Sequence, residues 1–76
     1  MNDIELKKIF LQVFPDLEAS EFNWKKKQNE YDDWDSFAHL NLITLVEEKF
    51  DISISDDNVI ELKSAEMILN FIERNK

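Results

Sequence analysis

Apolar positions recur along this chain in helical stripes broken by polar stretches. Leu6, Ile9, Phe10, Val13 and Phe14 follow one another at steps that place them on a single helix face, which predicts a first helix with one buried stripe. Asp3 is placed to cap its start, and Pro15 ends it. Between Pro15 and Asp35 the period disappears, with Leu17, Phe22, Trp24, Tyr31 and Trp34 left as scattered apolar anchors. That pattern predicts a long ordered loop with one helical turn near Leu17 to Phe22, well beyond the usual few-residue connection. A second helix is expected from Ser36 to Phe50, a run without Gly or Pro, with Ser36 as its N-cap. It has too many apolar residues for one stripe. Leu42, Ile43, Val46 and Phe50 are assigned to the core, while Phe37, Leu40 and Leu45 point elsewhere, either under the loop or toward partners.

Beyond Asp51, Ile52-Ser53-Ile54 is too short for an independent strand. Ser55 followed by Asp56 and Asp57 reads as the capped, acidic first turn of a short third helix, held by packing through Val59, Ile60 and Leu62. Ser64 caps a fourth helix over roughly Ala65 to Arg74, with Ile68, Leu69, Phe71 and Ile72 inward and Arg74 and Lys76 at its negative end. The expected fold is all-α: a small four-helix bundle, one domain over residues 1–76, with a long first loop and a short third helix.

Charge sharpens this picture once it is divided along the chain. Residues 1–28 are neutral overall, whereas residues 29–76 hold twelve acids against four bases and carry the whole net charge of −8. A surface of that sign disfavours nucleic acid and anionic membrane and favours a basic protein partner. The Lys25-Lys26-Lys27 run is read as a solvated loop tip. The chain has no Cys, which fits a reducing cytoplasm, and no apolar run of membrane-spanning length. Its first residues, Met1-Asn2-Asp3-Ile4-Glu5, lack the basic and apolar regions of a secretory signal, so a cytoplasmic, monomeric protein without a membrane span is expected.

Little marks an enzyme. Phosphate-cradling loops need glycine, and the chain has none. Asp32, Asp33 and Asp35 lack the spacing and glycine of a calcium loop. His39 follows Ser36 by one turn, but no orienting group or oxyanion site accompanies the pair, so neither catalytic nor metal-binding residues are assigned.

The acidic approach Asp32-Asp33-Trp34-Asp35, the Asp-Ser-hydrophobic step into a helix, the ending Glu47-Glu48-Lys49-Phe50 and the following Asp51-Ile52-Ser53-Ile54 together resemble the acyl carrier proteins and their peptidyl and D-alanyl carrier relatives. The likeness is tightest from Asp32 to about Phe71. It implies a 4'-phosphopantetheine arm, derived from coenzyme A, on Ser36, with Asp35 helping to engage the enzyme that installs it. Phe37 stands where the family has Leu. Fatty-acid carriers have a glycine near Asp33 and acids near Ala38 and Asn41, so these departures point toward specialised carriers, such as D-alanyl carriers or those serving cell-surface glycan and secondary-metabolite pathways. The implied partners are a phosphopantetheinyl transferase, an acyl- or aminoacyl-activating ligase and a downstream acyltransferase or synthase, met through Phe37, Leu40, Asn41, Glu47 and Glu48. The alternative is a non-catalytic acidic helical adaptor that binds a basic partner without a prosthetic group.

Overall fold

In the computed structural model, which describes residues 2–75, four α-helices carry the core: α1 Asn2–Val13, α2 Ser36–Phe50, α3 Asp56–Glu61 and α4 Ala65–Arg74. No strand forms among the described residues, and Ile52-Ser53-Ile54 runs as irregular chain. α1 packs against both α2 and α4. Leu6, Ile9, Phe10 and Phe14 meet Leu42, Ile43, Val46 and Phe50 from α2 and Ile68, Phe71 and Ile72 from α4 in one buried cluster. The stripes seen in the sequence are therefore the core, with Val13 and Leu69 only half-buried at its margin.

Pro15 lies just past the last residue of α1, as expected, but α1 already begins at Asn2, so Asp3 lies within its first turn and does not cap it. There its carboxylate faces the positive end of the dipole. The C-terminus of α2 is closed without glycine: Asp51 adopts the left-handed conformation at φ 54°, and its N–H donates to the Glu47 carbonyl. Aspartate is among the few residues other than glycine that enter this region readily. α3 and α4 start as the sequence predicts, with the hydroxyls of Ser55 and Ser64 accepting from the Asn58 and Met67 amides. Lys76, assigned above to the end of α4, lies outside the described residues.

The long loop is built by aromatic packing. Phe10 meets the rings of Phe22 and Trp34 edge-on at 5.3 and 5.4 Å, Trp34 meets Tyr31 at 5.3 Å, and Tyr31 stacks on Phe14 at 5.9 Å. The expected helical turn is a 3₁₀ turn at Ala19–Glu21, and a second one, Gln28–Glu30, had no signal in the sequence. Lys27 pairs antiparallel with Ser64, and the Gln28 N–H donates to the Lys63 carbonyl at 2.6 Å, so the loop is sewn to the start of α4. Lys25 and Lys27 are exposed, as a solvated run should be, but the backbone here is anchored and Lys26 reaches over the Tyr31 ring at 4.6 Å. Burial lifts the Tyr31 phenol above its ordinary value, against a smaller opposing pull from the Asn23 backbone.

One ion pair joins helices among the described residues, Lys49 Nζ to Glu5 Oε2 at 3.0 Å. The hydrogen bond and charge of Lys49 hold the Glu5 carboxyl below its ordinary value of 4.5. A depressed carboxylate contributes stability above that ordinary value and loses the contribution as pH falls through the lower folded-state value. Replacing Lys49 with Gln is expected to move Glu5 back up toward 4.5 in an NMR titration. An unmoved Glu5 would mean that Lys8 or the chain start sets its charge instead.

Candidate functional site at the start of α2

Ser36 is the first residue of α2, and the cap is Asp35 rather than Ser36. Asp35 has the extended backbone of a cap residue, its Oδ1 accepts from the Ala38 N–H at 2.9 Å, and its carbonyl accepts from His39. Both residue types make good caps, and the carboxylate one position earlier takes the amide that the Ser36 hydroxyl was expected to take. The consequence is chemical. Ser36 is exposed, and its hydroxyl holds no hydrogen bond among the described residues. The Ser36 and Phe37 amides belong to the first turn, whose N–H groups have no intrahelical acceptor and lie at the positive end of the helix dipole. An esterified phosphate on Ser36 would meet donors of the right kind.

His39 supplies the stiffness behind this serine. The residue is 8% exposed. Trp34 Nε1–H donates to His39 Nδ1 at 2.9 Å, and the indole nitrogen is a donor only, which fixes Nδ1 as acceptor. Nε2 then carries the proton and donates to the Val59 carbonyl at 2.7 Å. Val59 lies in the last turn of α3, where carbonyls lack intrahelical partners. One imidazole thus ties the loop, α2 and α3 together. With both ring nitrogens engaged, His39 has no acceptor left for the Ser36 hydroxyl, which disposes of a Ser-His pair. The signal for this role was present as a lone His in an apolar helix five residues after a Trp, but its third member lies 20 residues further on.

Around Ser36 the side chains expected to meet partners divide into two groups. Phe37 is 81% exposed and Leu40 58%, and Asn41 and Glu48 are exposed as well. Leu45 belongs elsewhere, half-buried against the core. Glu47 is half-buried too: its Oε2 accepts from the Ile54 N–H at 2.8 Å, so it braces the connection to α3. Ile60, expected to anchor α3, is 69% exposed, because Val59 and Leu62 take the inward positions of so short a helix. Phe37 and Leu40 on α2 and Ile60 on α3 therefore leave large apolar groups in solvent.

Among the described residues no group of His, Cys, Asp and Glu side chains converges to hold a metal ion, and no helix is long and apolar enough to cross a membrane. No family model matches the chain. The chain is similar to a protein described as acyl carrier protein from Kocuria rhizophila, at 37% identity over 57 residues that cover 75% of this chain and 70% of the relative.

Proposed function

We propose that this chain, which belongs to the acyl carrier protein family, carries acyl or aminoacyl groups on a 4'-phosphopantetheine arm attached to Ser36 and presents them to the enzymes of a specialised biosynthetic pathway. The observation that carries the reading is the unengaged Ser36 hydroxyl at the first position of α2, left free because Asp35 does the capping. When bound, the arm supplies a terminal thiol, a function that a chain without cysteine lacks, and holds its cargo there as a thioester. Ser36 contributes the ester oxygen, and the first-turn amides of α2 balance the phosphate charge. Asp35 fixes the helix start, and the Trp34–His39 bond anchors the end of the loop to α2. Incubation with a fluorescent coenzyme A analogue and a broad-range phosphopantetheinyl transferase tests this reading. A labelled band supports it, whereas an unlabelled one beside a labelled control carrier would favour the adaptor reading.

Partners of this kind are expected to dock on Phe37 and Leu40 and to be steered by the acidic second half of the chain. Replacing Phe37 and Leu40 together with Ser is expected to weaken transferase binding about tenfold or more, since losing a central apolar contact costs over about 1 kcal/mol, with the melting temperature unchanged. Glu48→Gln should slow association more than Glu18→Gln at low salt, and the difference should fade as salt screens exposed charges. Glu47 is unsuited to this comparison because it braces Ile54. Equal association rates for all these variants would remove α2 as the docking face.

A further inference from the structure

A groove of about 570 Å³ opens beside Asp35, lined by Lys27, Gln28, Asn29, Tyr31, Asp32, Trp34, Asp35 and Lys63. It lies between the long loop and the link from α3 to α4, and that pairing builds it: the Gln28 N–H bonds the Lys63 carbonyl at 2.6 Å, and Gln28 Nε2 donates to the Trp34 carbonyl at 3.3 Å. The volume falls in the range of about 300–1,000 Å³ usual for small-molecule clefts. The placement of positive charge is unexpected. Of the bases in the acidic residues 29–76, Lys49 is spent on Glu5 and Arg74 lines a separate groove between α3 and α4. Lys63 stands instead with Lys27, from the neutral part of the chain, at this groove, and neither makes an ion pair among the described residues. Two unpaired ammonium groups brought together by a backbone bridge, next to the residue that precedes Ser36, form a place for an anion tethered there.

From this we infer that the groove is the resting seat of the arm on Ser36, an inference that rests on the carrier reading above. Lys27 and Lys63 face its phosphate, Gln28 and Asn29 offer amide partners to its two amides, and the Asp32 carboxylate accepts from its N–H and hydroxyl donors. Tyr31 and Trp34 supply the apolar wall for its methyl-bearing segment. Seating the arm between the loop and α4 leaves Phe37 and Leu40 open, so a partner can dock before the arm is drawn out.

The test compares ¹⁵N-labelled protein before and after loading with phosphopantetheine, together with the rate at which the loaded thiol reacts with a chromogenic disulfide. Shift changes at Gln28, Asn29, Tyr31 and Lys63 are expected, with thiol reaction severalfold slower than for free pantetheine. Lys27→Gln with Lys63→Gln, both exposed and outside the core, should abolish those shifts and return the thiol to the rate of free pantetheine. A loaded protein whose shifts stay within residues 35–40 and whose thiol reacts like free pantetheine overturns the seat and leaves the carrier reading standing. A chain that takes up no mass from coenzyme A overturns both.

Discussion

Replacing His39 with Phe should destabilise the fold more than any surface change. The larger phenyl ring offers no hydrogen bond, so Trp34 Nε1–H loses its acceptor in a buried place and the Val59 carbonyl loses its donor in a part-buried one. Leaving a buried donor unsatisfied costs about 1–3 kcal/mol and the part-buried carbonyl adds a smaller loss, so destabilisation should reach roughly 1–4 kcal/mol. At about 0.05–0.15 kcal/mol per residue, a domain of this size has only about 4–11 kcal/mol to lose. The urea midpoint should fall sharply. Within α3 the effect should be visible before the global transition, because no residue of Asp56–Glu61 is fully buried and the helix is held by its Ser55 cap, by Val59 and by the following Leu62. Hydrogen exchange there should accelerate more than in α1 or α2. Such opening would bare Val46 and Ile68, which are wholly buried in the closed fold, to an apolar cargo. A midpoint shift worth less than about 1 kcal/mol, or uniform exchange across all four helices, would show that His39 is not what pins α3.

At the start of α2 the fold and the chemistry are expected to part company. Ser36→Ala should abolish attachment of the arm while changing stability by no more than about 0.5 kcal/mol, as for an exposed residue away from any structural bond. Asp35→Ala should do the opposite to stability, costing about 0.5–2 kcal/mol through the lost cap, while leaving the Ser36 hydroxyl in the chain. Urea unfolding of both variants, read beside transferase labelling, checks the pair. A stability loss for Ser36→Ala as large as for Asp35→Ala would contradict the division of labour between them.

These expectations differ from what the sequence supports, and the reasons are local. The buried stripes could be read because helix period and burial leave the same mark on residues such as Leu6, Phe10, Val46 and Ile68. Asp35 and Ser36 could not be ranked as caps, since both types are competent and only backbone geometry decides between neighbours. His39 looked idle because Trp34 and Val59 flank it from two other elements. The backbone pairing of Lys27 with Ser64 could not be read because it spans a loop and a helix link that carry no period. Ile60 has the hydropathy of an anchor, yet a six-residue helix has room for few inward positions. For His39 and Lys27 the deciding contact joins parts of the chain that local pattern does not connect.

The most direct measurement is the intact mass of the wild-type protein after incubation with coenzyme A and an active phosphopantetheinyl transferase, followed by fragmentation to locate any added group. One phosphopantetheine on Ser36 and nowhere else is the predicted result. An unchanged mass, or a group carried by a residue other than Ser36, would contradict it.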